Sequence, residues 1–194
     1  MLAKVRHTLA LRLSKFPAML LAKTGISPNA LTIFGFVTVL AVAWVLSTGR
    51  FFLGGFLVLL SASLDFLDGA LARATGRVTK FGAFLDSSLD RFSDAALFLG
   101  LLAYYASQGS SYYQIVLIGA ALTGSLATSY TRARGESLGV KDEVGLFTRT
   151  ERIVLLAIGL IVNQMIIILW IIAVLSNFTA LHRIYHVWRK SGGK

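Results

Sequence analysis

DFLDGALARATGRVTKFGAFLDSSLD, residues 65–90, sets four of the chain's nine acidic residues inside strongly apolar sequence. Asp65 and Asp68 stand three apart, and Asp86 and Asp90 four apart, so each pair shares one helix face. A short polar break, Thr75-Gly76-Arg77-Val78-Thr79-Lys80, separates the pairs. The spacing predicts two helices joined by a turn, antiparallel and side by side, with their acidic faces meeting. Four carboxylates at one point repel unless a cation sits among them. Oxygen donors in that number suit Mg²⁺, Mn²⁺ or Ca²⁺ rather than zinc or copper. The ordinary alternative pairs them with Arg73, Arg77, Lys80 and Arg91. Ionisable groups at membrane depth cost several kcal/mol each and mark functional sites, which favours the metal reading.

Working outward, the surrounding sequence belongs in a bilayer. The 194 residues are 56% hydrophobic and 14% charged, the composition of an integral membrane protein too short for a second domain. Cysteine is absent, which excludes disulfides, thiolate metal sites and a cysteine nucleophile. Residues 2–23 mix apolar residues at helical spacing with Lys4, Arg6, Arg12, Lys15 and Lys23. They read as an amphipathic interfacial helix bent near Pro17, not as a cleavable signal peptide. Ser27 is placed to cap a first spanning helix and Pro28 to occupy its first turn.

Six spans are expected, at 29–48, 51–73, 81–107, 112–135, 149–164 and 166–188, giving an all-α membrane bundle over 29–188. The last two abut at Asn163-Gln164, because about forty apolar residues in one helix would overshoot a bilayer. The net charge of +10 comes from basic residues at span ends, a placement that fits anionic lipid and phosphorylated substrates rather than nucleic acid. All but two of the 19 Lys and Arg fall on the side of the N-terminus; Arg50 lies opposite and Arg91 within a span. The bias puts both termini and the aspartates on the cytoplasmic side of the cell membrane. Asp86 lies six residues past Lys80, roughly 9 Å into its helix at about 1.5 Å per residue. That depth suits a substrate with a lipid tail in the bilayer and a charged head in the cytosol. Gly69 and Gly82 leave room for a nucleotide near the backbone, or equally for helix packing. His182 and His186, with Tyr185 and Trp188, read as an interfacial aromatic belt, and Tyr104, Tyr105, Tyr112 and Tyr113 as its counterpart on the other face.

The pattern Asp65-x-x-Asp68-Gly69-x-x-Ala72-Arg73, eight residues, then Gly82-x-x-x-Asp86-x-x-x-Asp90 resembles the complete signature of the CDP-alcohol phosphotransferases. The resemblance implies a six-span enzyme that displaces CMP from a CDP-linked lipid, CDP-diacylglycerol or CDP-archaeol, by attack of an alcohol on the lipid-side phosphorus. It implies a site of two Mg²⁺ or Mn²⁺ ions on Asp65, Asp68, Asp86 and Asp90, with Asp90 also the general base. It implies CDP contacts at Gly69, Arg73 and Thr79, with Asn29, Ala30, Leu31 and Thr32 of a similar Pro-Asn-x-Leu-Thr stretch beside them. It further implies a homodimer, although no G-x-x-x-G lies within a span. Asp94 continues the acidic face but falls outside the signature.

A second basic cluster bears on the alcohol. Arg132, Arg149 and Arg152, with Arg183 near the end of the last span, are placed to surround another anion. Arginine's planar fork suits phosphate; the alternative is a basic belt touching lipid headgroups. A phosphorylated acceptor needs such a pocket and serine does not. The stretch Ser129-Tyr130-x-Arg132-Ala133-Arg134-x-Glu136, followed by Arg149-x-Glu151-Arg152, is similar to the phosphatidylinositol phosphate synthases of actinobacteria and their archaetidylinositol phosphate relatives. Their acceptor is inositol phosphate. Thr148 departs from that pattern where a Glu often stands, and Arg132 where a Lys does. Glycerol phosphate is the nearest alternative acceptor. More distant readings are an intramembrane prenyltransferase and a divalent-cation transporter, and clustering of the carboxylates beside one basic face argues against a through-path.

Overall fold

The computed structural model describes residues 17, 19–109, 112–140 and 147–192. Most of the expected amphipathic segment 2–23 lies outside them; residues 19–23 are helical. Six long helices follow: α1 Pro28–Ser47, α2 Phe51–Ala74, α3 Lys80–Ser107, α4 Tyr112–Ser137, α5 Arg149–Val162 and α6 Met165–Lys190. Their limits follow local chemistry. Ser27 caps α1, its hydroxyl accepting from the Ala30 N–H at 3.1 Å, and Pro28 fills the first turn. The break between α5 and α6 falls at Asn163, in the left-handed region at φ 58°, a conformation asparagine tolerates better than most residues.

By length and hydropathy α1, α2 and α6 can cross a membrane. The polar site residues dilute the hydropathy of α3 and α4, and α5 has only 14 residues, about 21 Å of helix. The outer surface carries many exposed apolar side chains, among them Phe34, Val37, Trp44, Phe56, Trp170, Val174 and Phe178. So large an apolar surface needs lipid around it.

The helices do not pack as the two acidic faces suggested. α2 and α3, although consecutive, lack close mutual packing; α1 packs against both. The main contacts run α1–α2–α5–α6–α4–α3 and back to α1, closing a ring. One half of that ring is filled by Val42 and Leu46 of α1, Val58 of α2, Leu101 of α3, Ile118 and Ala121 of α4, Leu160 of α5 and Leu169 and Ile172 of α6. Close approach there requires glycine: a Cβ on Gly100 of α3 would lie 2.4 Å from the Ala43 carbonyl oxygen of α1. Tyr104 and Tyr105 belong to this packing and not to an outer belt. Tyr105 is 9% exposed, and both rings pack on Phe51. Tyr112 and Tyr113 are exposed.

Because the helices alternate in direction, the other half of the ring collects the start of α1, the end of α2, the starts of α3 and α5 and the ends of α4 and α6. The aspartates and the buried arginines all lie in this half.

Candidate functional site

The space between α2 and α3 is bridged by an arginine from a third helix. Arg149, in the first turn of α5, donates from Nη1 to Asp65 Oδ2 at 3.0 Å and stands 2.8 Å from Asp90 Oδ1. Its Nε donates to Asp94 Oδ1 at 3.1 Å. Arg152, one turn on and 2% exposed, donates from Nη2 to Asp94 Oδ2 at 3.1 Å and reaches Ser129 Oγ at 3.4 Å. The start of α5 that carries both arginines is fixed by a capping box between Thr148 and Glu151, the Thr148 N–H donating to Glu151 Oε2 at 2.6 Å. Thr148, the departure noted in the sequence, is thus a helix cap.

The basic residues nearest in sequence are not the ion-pair partners of Asp65 and Asp90. Among the described residues the ion pairs of Asp65 and Asp90 run to Arg149, not to Arg73, Arg77, Lys80 or Arg91. Arg91 instead donates to the Ser87 carbonyl of its own helix. Asp68 is 6% exposed; its Oδ1 accepts from the Gly69 N–H, and its Oδ2 is buried without a partner. Among the described residues no three acidic or histidine side chains are gathered closely enough to hold an ion as they stand. The donor set itself suits a hard divalent cation: carboxylate oxygens only, one of them buried and unpaired.

Three cavities meet at Asp86. The first, about 300 Å³, lies between α1, α2 and α3 and is walled by Asn29, Thr32, Asp68, Gly69, Arg73 and Thr79. Asn29 and Thr32 share a face of α1; Leu31 turns into the core and Ala30 outward, so neither lines this space. Thr79 also caps α3, accepting from the Gly82 N–H at 2.9 Å. A Cβ on Gly82 would meet Asn29 Oδ1 at 3.0 Å, so this glycine lets α3 begin against α1. On Gly69 a Cβ would meet only the Arg73 guanidinium at 3.3 Å, on the cavity side.

The second cavity, about 360 Å³, runs between α3, α4 and α5 and includes Asp86, Asp90, Arg132, Arg149, Arg152 and Arg183. The four arginines that the sequence grouped therefore line one space. Arg183 is 4% exposed and donates from Nη1 to the Thr128 carbonyl at 2.6 Å. Arg132, at the rim, pairs with Glu136 at 3.0 Å. The third cavity, about 260 Å³, is bounded by Asp65, Asp86, Asp90 and Arg149 and by the apolar Ala62, Phe66, Ile153 and Val154 of α2 and α5. Phe66 and Val154 are exposed on the outer surface. Sequence reasoning did not connect Asp94 or Ser125 to the site. Asp94 was visible as a third acidic residue on the α3 face, but its arginine partners lie 55 and 58 residues away.

Residues 25–182 match the family model described as CDP-alcohol phosphatidyltransferase. Over 191 residues the chain is 37% identical to archaetidylinositol phosphate synthase of Pyrococcus horikoshii, covering 98% of both. It is 38% identical over 193 residues to phosphatidylinositol phosphate synthase of Streptomyces avermitilis, covering 92% of this chain and 79% of that one. The fold superposes on the crystal structure of Mycobacterium tuberculosis phosphatidylinositol phosphate synthase with CDP-DAG bound, with TM-score 0.85 and 32% identity over 91% of this chain and 94% of that one. The same enzyme solved with manganese and citrate gives TM-score 0.83 and 31% identity over 90% and 88%. A match covering most of the chain, with these relatives, establishes that the chain belongs to the CDP-alcohol phosphatidyltransferase family.

Proposed function

We propose that the protein transfers the phosphatidyl group of CDP-diacylglycerol, or the corresponding group of its ether analogue CDP-archaeol, to inositol phosphate, releasing CMP. One observation carries this reading: three cavities of different chemistry share the Asp86 wall. The space beside Gly69, Arg73 and Thr79 suits the cytidine diphosphate. The groove between Phe66 and Val154 suits the lipid tails. The arginine-lined space suits an acceptor that carries its own phosphate, since guanidinium forks bind phosphate with paired, charge-assisted hydrogen bonds. The names of the relatives point to the same acceptor.

In this reading Asp65, Asp68, Asp86 and Asp90 hold divalent ions, Mg²⁺ or Mn²⁺, two per site. The manganese complex of the mycobacterial relative supports a divalent cation in this fold. When bound, the ions neutralise charge on the diphosphate and on the leaving CMP. The protein's residues do the rest. Arg152 and Arg183, held at one edge by Asp94 and by the Thr128 carbonyl, fix the acceptor's phosphate and so aim its hydroxyl at the lipid-side phosphorus. Asp90, on the wall between the acceptor and lipid spaces, accepts the hydroxyl proton. The new oxygen–phosphorus bond forms as the phosphoanhydride bond breaks, and CMP leaves with that electron pair. The bundle crosses the membrane six times, with this half of the ring facing the cytoplasm.

The test is a screen of purified protein with CDP-diacylglycerol and CDP-archaeol against single acceptors, scored by CMP release and by the mass of the lipid product. Release with inositol phosphate is expected, lost on chelation and restored by Mg²⁺ or Mn²⁺. Release with glycerol phosphate alone would overturn the acceptor assignment.

A further inference from the structure

We infer that Asp94, outside the family signature, is a positioning residue for the acceptor, acting through the two arginines of α5. The inference rests on the acceptor reading of the arginine-lined cavity. Asp94 follows Asp90 by one turn of α3 and is 3% exposed. It lines none of the three cavities, so no substrate in them touches it. Its two oxygens are divided among three donors from two other helices. Oδ1 takes Arg149 Nε at 3.1 Å; Oδ2 takes Arg152 Nη2 at 3.1 Å and Ser125 Oγ of α4 at 2.9 Å.

Each bond fixes one edge of a guanidinium and leaves the rest of the fork to the site. Arg149 is held at Nε, and its Nη1 reaches Asp65 and Asp90. Arg152 is held at Nη2 and lines the arginine-rich cavity. One carboxylate thereby sets the orientation of two cations whose free edges differ in task, one toward the carboxylate cluster and one toward the acceptor space. Arginine loses less freedom on binding phosphate when its plane is already fixed. A counterion serving stability alone would weaken every function of the site together; a positioning residue splits them.

The experiment measures kcat and both KM values for Asp94→Asn, Asp94→Glu and Ser125→Ala in the full-length protein. Asparagine keeps the shape, loses the charge and sets an N–H₂ donor against an arginine donor. For Asp94→Asn the expected result is an acceptor KM raised at least about tenfold with the CDP-lipid KM within about twofold. Asp94→Glu should recover part of the acceptor KM. Ser125→Ala removes one bond and no charge, and should shift the acceptor KM the same way by a smaller factor. If Asp94→Asn does not fold, Ser125→Ala decides. An unchanged acceptor KM, or equal losses for both substrates, overturns the positioning role. Failure of the wild-type protein to use any phosphorylated acceptor would instead overturn the acceptor reading, so the two failures are distinguishable.

Discussion

Arg149 joins parts of the site that are far apart in the chain, touching Asp65 of α2 and both Asp90 and Asp94 of α3. A single ammonium could not span that set, which explains why arginine serves at this position. Asp90 shares this cation yet also faces the acceptor and lipid spaces. If it is the base, Asp90→Asn should lower CMP release by at least about 10²-fold while CDP-lipid still binds. Single-turnover assays beside a lipid-binding measurement check this; near-normal turnover would remove Asp90 from the role. Each acidic pair could be read from the sequence because spacing on one helix fixes which residues share a face. The four arginines lie on three helices and were grouped only by their places at span ends. The link from Arg149 to Asp65 could not be read, because it crosses 84 residues and depends on which helices become neighbours. Ala30 and Leu31 show the same limit at short range: the stretch 29–32 reads as one motif, but helical rotation sends only Asn29 and Thr32 to the cavity.

At the level of elements, helix limits were largely legible and helix partners were not. Caps and breakers are local signals, so the start at Ser27-Pro28 and the break at Asn163-Gln164 could be read directly. An apolar face states that a helix must be covered but does not say by what. Hence α2 and α3 were expected side by side, whereas α1 packs against both and leaves the gap in which the site lies. That arrangement depends on small residues where α1 meets α3. Gly100→Val would drive methyl groups into the Ala43 carbonyl and should cost about 1–3 kcal/mol by overpacking. A lower thermal midpoint in detergent is expected, with the acceptor and CDP-lipid KM values of the folded fraction unchanged. A wild-type midpoint would show that α1 and α3 have room to separate.

Across the whole molecule, the ring divides into an apolar half and a half that carries the charged site, and alternating helix direction assigns each loop to one end. The turn after α1 and the end of α3 at Ser107 lie at the apolar end; the end of α4 at Ser137 lies at the end with the aspartates. In the proposed orientation this second end faces the cytoplasm, as the basic bias of the sequence predicts, where nucleotide-linked substrates are found. The absence of cysteine makes the orientation directly measurable, since a single introduced thiol is the only one present. Ser107 and Ser137 are both exposed, and Ser→Cys changes little in volume at either. In intact cells a membrane-impermeant maleimide should label Ser107→Cys and spare Ser137→Cys; after permeabilisation both should react. Labelling of Ser137→Cys alone in intact cells would invert the molecule and remove the cytoplasmic route to its substrates. Labelling of both without permeabilisation would mean an even number of crossings between the two positions. Such a result would contradict a single passage by α4 and with it the six-span bundle, while leaving the geometry around Arg149 intact.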